Sequence, residues 1–123
     1  MTAPTIDRVD AAWLAGLLDG EGCFDAPRGN PRVRVKMGDL DVVLRAGELM
    51  GGTLHEEPDR RPTVDGRPRT TMAVAQVNGE AAIAAMLAVL PWLGSRRSAK
   101  VTEIVRAYRF KKGGKLAIVR AAA

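Results

Sequence analysis

Residues 14–22 read LAGLLDGEG, and the rest of the chain organises itself around this stretch. Ala and Leu favour a helix, and Leu14, Leu17 and Leu18 recur at the spacing that packs one helical stripe into a core. Gly16 and Gly20 lie four residues apart on one face, where the absence of side chains lets another backbone come close, and Ala15 adds to that small surface. Asp19 and Glu21 fall where the helix meets its breaker, Gly22. Negative charge is disfavoured at a helix C-terminus by the helix dipole. Carboxylates placed there are either simply solvated or set to bind a cation. Periodicity alone favours the plainer reading, a core helix with an acidic end.

Upstream, residues 1–9 read as a short polar arm, and Asp10 has the chemistry of an N-cap for the motif helix. Downstream, CFDAP is extended, residues 29–31 (GNP) signal a turn, and RVRVKM alternates strictly with period two, so the pair forms a short hairpin. Asp39 caps a second helix with Val42, Val43, Ala46 and Leu49 or Met50 on one stripe, closed by Gly51 and Gly52. TLHEEP and TTMAVAQV are strands separated by a polar loop rich in Pro and Arg. Asn78 caps a third helix that stops near Pro91, and a fourth starts around Ser95. The glycine pair at 113 and 114 is expected to break that helix, leaving a basic, Ala-rich tail. The expectation is an α+β fold: an antiparallel sheet of two hairpins with helices on one face, αββαββα, in one domain over residues 10–111 with the tail at 112–123.

Composition narrows the chemistry. Of 123 residues, 19 are Lys or Arg against 14 Asp or Glu, for a net charge of +5. That balance suits a polyanionic partner, nucleic acid first among them. A single Cys23 and a single His55 exclude a disulfide framework and a Cys-rich zinc site and disfavour a Ser-His-Asp triad; both read as structural residues without partners. Carboxylates and basic groups are left to carry any reaction. Aromatic residues make up 4% of the chain, too few for single-strand binding by base stacking, so Trp13 and Trp92 read as packing residues. There is no apolar run long enough to span a bilayer and no visible signal peptide, so no membrane partner is expected and the expected location is cytoplasmic. The Arg-, Ala-, Gly- and Val-rich usage suggests a high-GC bacterial or phage origin.

The string LAGLLDGEG resembles the motif that names the LAGLIDADG homing endonucleases, from which it differs at Leu18, Gly20 and Glu21. The element order over about residues 13–108 is similar to a single-motif member of that family. The resemblance implies a homodimer whose motif helices pack through Leu14, Ala15, Gly16 and Gly20. It implies that Glu21 binds Mg²⁺ (with Mn²⁺ as a substitute) at a scissile phosphate of double-stranded DNA, helped by the Gly20 carbonyl, with Asp19 as the fallback ligand. No small-molecule cofactor is implied. The region LPWLGSRRSAK is where the family often places a basic residue near the active site. Arg96 is the first candidate for that role, with Arg97 and Lys100 behind it, while Lys36 lies near a position that organises active-site water.

The alternation in residues 32–37 puts Arg32, Arg34 and Lys36 on one face and Val33, Val35 and Met37 on the other. A sheet carrying such a row fits the major groove, where Arg and Lys contact phosphates and guanine edges. Arg28, Arg97, and Arg67 with Arg69 on the second hairpin extend the expected DNA surface; Arg60 and Arg61 are candidates for contacts to the flanking backbone. Set against this are solvated basic residues serving only solubility. The first hairpin is short for base reading, which implies a smaller footprint. The function that the resemblance implies is site-specific, metal-dependent phosphodiester hydrolysis by a homodimer. The alternative is a DNA- or RNA-binding protein of the same fold that does not cut, a regulator or splicing maturase.

Overall fold

The structure is a computed structural model that describes residues 6–58, 65–66 and 71–122. The motif helix α1 spans Arg8–Glu21. It begins earlier than expected: Asp7, not Asp10, is the N-cap, its carboxylate accepting the Asp10 N–H at 2.8 Å. Asp10 instead turns its side chain to Arg45 on α2. The chain continues as β1 (Gly22–Asp25), β2 (Arg32–Met37), α2 (Leu40–Met50), β3 (Thr53–Glu57), β4 (Met72–Asn78), α3 (Gly79–Val89) and α4 (Ser95–Ala122). Asp39 and Asn78 occupy the N-cap positions of α2 and α3, but neither side chain makes a capping hydrogen bond.

The four strands form one antiparallel sheet in the order β1-β2-β4-β3. Helices pack on one side of it, as the αββαββα pattern requires. Leu14, Leu18, Val33, Val35, Val43, Ala75, Met86, Val89 and Val101 have no exposed surface and make the centre of the core. Each of the Leu, Val and Met side chains among them contributes about 1.5–3 kcal/mol of transfer free energy.

Two glycines hold the sheet ends to their helices. A Cβ on Gly22 would sit 2.6 Å from Leu18 Cδ2 and 2.8 Å from the Leu18 backbone, so only glycine lets β1 leave α1 this sharply. Gly51 ends α2 in the left-handed region, at φ 68°, where glycine carries no Cβ penalty.

The glycine pair at 113 and 114 does not break α4, which runs helically to Ala122. Glycine costs about 1 kcal/mol in a helix interior but forbids nothing, and the Ala-rich segment that follows is a strong helix former. No described helix is long and apolar enough to cross a membrane.

Candidate active site and nucleic-acid interface

The two acidic residues at the end of α1 have different fates. Asp19 Oδ2 accepts the Gly94 N–H at 2.8 Å, just ahead of the first turn of α4. A carboxylate disfavoured by the C-terminal dipole of its own helix is thereby placed at the positive end of another. From α4, Arg97 donates through Nη1 to the carbonyl of Gly22, one of the oxygens a helix end leaves without an internal partner. Asp19 and Arg97 thus clamp the ends of α1 and α4 together. Glu21 stays exposed and makes no hydrogen bond or ion pair among the described residues.

No three His, Cys, Asp or Glu side chains converge as a metal cage among the described residues. The end of α1 offers one free carboxylate and, beside it, the Gly20 carbonyl. These are hard oxygen donors in the small number that Mg²⁺ takes from protein when phosphate and water complete its shell. The donor set fits such an ion shared with a phosphate. Asp19 already gives one of its two oxygens to Gly94.

Of the basic candidates after α3, Arg97 is the one that touches the motif's end. It is half-buried, and its Nε is buried without a partner. Arg96 and Lys100 are exposed and line an open cleft of about 480 Å³ with Arg97, Ala99 and Glu103. Among the described residues, Arg97 rather than Arg96 makes the contact with the end of the motif, through the Gly22 carbonyl at the start of β1.

The sheet's open face follows from the register. Cys23 pairs with Arg34, and Asp25 with Arg32; Arg34 and Thr53 flank Gln76, and Lys36 and His55 flank Val74. Arg32 makes a two-pronged pair with Asp25, Nε to Oδ1 at 2.9 Å and Nη2 to Oδ2 at 2.5 Å. The Asp25 hydrogen bond holds the guanidinium above its usual pKa. Glu57 receives Arg34 Nη2 at 2.7 Å, Lys36 Nζ at 3.0 Å and His55 Nε2 at 3.2 Å. Hydrogen bonds from Lys36 and then His55, with the nearby charges of Arg34 and Lys36, lower the Glu57 carboxyl to about 2.

Arg28 is exposed in the β1–β2 turn, in the left-handed region at φ 56°. Arg60, Arg61, Arg67 and Arg69 lie outside the described residues. Cys23 and His55 are not the partnerless structural residues expected: both are exposed on this face, Cys23 Sγ 3.8 Å from Asp25 and His55 against Glu57. Glu57 and Asp25 were missed by sequence reasoning. The period-two pattern of residues 53–57 puts Thr53, His55 and Glu57 on one face, but which cations they meet depends on β4 lying between β3 and β2.

The outward face of α1 also differs from expectation. Leu14 and Ala15, assigned to a helix–helix contact, are fully buried inside the protomer. Along one stripe α1 turns Val9, Gly16 and Gly20 outward, with half-buried Trp13 among them. A Cβ added at Gly16 or Gly20 would meet nothing within 4 Å. Arg45 of α2 covers the Trp13 ring at 4.0 Å from its centroid.

The antiparallel four-stranded sheet backed on one side by helices, with α1 leading into its first strand, is an arrangement that the chain shares with solved homing endonucleases. The chain is similar to the homing endonuclease I-CvuI solved in complex with its target in the presence of Ca, with a TM-score of 0.62 and 20% identity over 94% of this chain and 76% of that one. It is similar again to I-CvuI in complex with the I-CreI target in the presence of Mg, where the DNA is not cleaved; there the TM-score is 0.56 at 20% identity, over 80% of this chain and 65% of that one. At this identity the likeness speaks for the fold. No protein-family model and no curated protein matches the chain.

Proposed function

We propose that this protein is a site-specific double-strand DNA endonuclease that acts as a homodimer. The observation that carries the reading is Glu21: an exposed carboxylate without a partner, delivered by the motif helix to the edge of a sheet whose open face bears a row of Arg and Lys. A free acidic group costs a pure DNA binder affinity through repulsion of phosphate, whereas a hydrolase needs it. Glu21 and the Gly20 carbonyl would hold Mg²⁺ or Mn²⁺, which would polarise the phosphate and acidify the attacking water. Arg97 holds the Gly22 carbonyl and so sets the direction in which Glu21 leaves the helix. Arg96 and Lys100, exposed in the cleft on α4, supply positive charge for a phosphate oxygen. Lys36 lies one residue past the Gly22↔Val35 pair, near the level at which α1 delivers Glu21.

One carboxylate per chain cuts one strand, so cleavage of both requires two copies, and a two-fold dimer implies a palindromic or nearly palindromic target. The stripe Val9, Trp13, Gly16 and Gly20 is the surface on which the copies meet. The test is cleavage of a randomised duplex library with Mg²⁺ by the wild type and by Glu21→Gln. Cutting should fall by more than about 100-fold in the variant while DNA binding is kept. Equal cutting by both removes Glu21 from the chemistry. A second reading, a DNA- or RNA-binding protein that does not cut, is favoured by the commitment of Asp19 to Gly94, which leaves a single free carboxylate at the site. Binding without cutting under either metal would establish it.

A further inference from the structure

The open face of the sheet contains a feature that neither simple basicity nor the end of α1 explains. One carboxylate, Glu57 on β3, holds cations from a strand that is not its neighbour. Arg34 and Lys36 belong to β2, and β4 runs between them and Glu57. Lys36 and His55 flank Val74 on β4, a small apolar side chain with no exposed surface, and Arg34, which is paired with Gln76, reaches the same carboxylate. His55, on the same strand as Glu57, closes the cluster.

The charge pattern is the second observation. On the described strands this face carries Arg32, Arg34 and Lys36 against Asp25 and Glu57, and each of the three cations is bound to a carboxylate. The exposed cations that make no hydrogen bond or ion pair among the described residues include Arg28 in the β1–β2 turn and Arg96 and Lys100 on α4, away from the centre of the sheet. Phosphate contacts position a protein on DNA and base contacts specify sequence. Free cations at the rim and restrained cations in the middle divide these tasks.

We propose that Glu57 is a specificity-determining positioning residue: it holds the Arg34 and Lys36 head groups over the middle of the sheet so that they meet base edges instead of phosphates. The inference rests on the DNA-binding reading above. The Arg34 guanidinium gives Nη2 to Glu57 and keeps Nη1 for an acceptor on a base, and the position of the fork is set before DNA arrives. Without the carboxylate, both long side chains would swing toward the nearest phosphate, which any sequence supplies.

The test compares wild type, Glu57→Gln and Glu57→Asp for binding to a random-sequence duplex pool without divalent metal, as a function of salt. Each added phosphate contact steepens the dependence of log affinity on log salt by about 0.9. Glu57→Gln should steepen it by about 0.9 to 1.8, so that the pool loses roughly 3- to 12-fold more affinity between about 50 and 200 mM salt than with the wild type. Sequences selected from the same pool by Glu57→Gln should show weaker base preference, and Glu57→Asp, which keeps the charge, should return the wild-type slope. A folded Glu57→Gln with unchanged slope and unchanged preference overturns the proposal. Lys36→Met gives a check that does not depend on how Glu57→Gln folds. A lysine held by Glu57 contributes little to phosphate binding, so the slope should barely move, and a fall of about 0.9 overturns the proposal. A wild type whose affinity has no salt slope at all overturns the DNA-binding reading, and this inference with it.

Discussion

Consecutive residues of β2 live in different worlds. Val33 and Val35 face the helices with no exposed surface, while Arg32 and Arg34, one step away along the strand, keep 27% and 29% of their side chains exposed and are held by carboxylates. The closed face is organised by removal of apolar area from water, which is non-directional and accepts any side chain of suitable size. The open face is organised by directed bonds between charges, each of which depends on one particular partner. The first face contributes stability, and the second carries the charges on which the proposed DNA contact rests.

That contrast can be broken from the closed side first, where the largest effect on stability is expected. Leu18→Ala removes a fully buried side chain at the junction of α1 and the sheet, and should cost about 2–5 kcal/mol. Thermal unfolding followed by circular dichroism should show a drop of roughly 10 °C or more. A drop of a degree or two would mean that the motif helix is not anchored as described.

On the open side, Arg32→Gln breaks the two-pronged pair with Asp25, yet both side chains are about one-third exposed or less buried than a core ion pair. The expected loss is below about 1 kcal/mol. The same unfolding experiment should therefore separate Leu18 on the closed side from Arg32 on the open face by several-fold, and equal losses would erase the distinction between the faces.

The smallest effect is set by pH. The Glu57 carboxyl is lowered from its ordinary 4.5 to about 2 in the folded chain. Its folded pKa is depressed, so the stability it contributes is present above about 4.5 and is lost as pH falls toward about 2. The difference in melting temperature between wild type and Glu57→Gln should be constant near neutral pH, shrink through that window and vanish at its acid end. A difference that persists at the acid end would mean that the ion cluster does not hold in solution. Arg34, Lys36 and His55 are the charged and titratable groups that face the carboxyl.

Much of the architecture was legible one segment at a time. The apolar spacing of residues 14–18 and the strict alternation of residues 32–37 each report a local geometry, and the structure contains both elements. Local patterns also mislead where a neighbour decides. The family resemblance puts Leu14 and Ala15 in a helix–helix interface, but both are taken up by the protomer's own core. The glycine pair in α4 read as a stop because glycine is a poor helix former, but nothing in the following residues ends the helix. At the candidate site, the acidic pair at the end of α1 could be read from spacing. The difference between them could not, since Asp19 is spoken for by Gly94, 75 residues away.

The order of helices and strands, the side of each strand that turns inward and the charge available for a polyanion are all properties of short windows, because hydrophobic periodicity acts over a few residues. The partner of each charge is another matter. Whether Glu21 or Asp19 stays free, whether Arg97 or Arg96 meets the motif, and which cations Glu57 restrains all depend on placing β4 between β2 and β3 and docking α4 on the end of α1. Hydrogen bonds and ion pairs act over about 3 Å, and chain segments come within that distance only when the packed core brings them there.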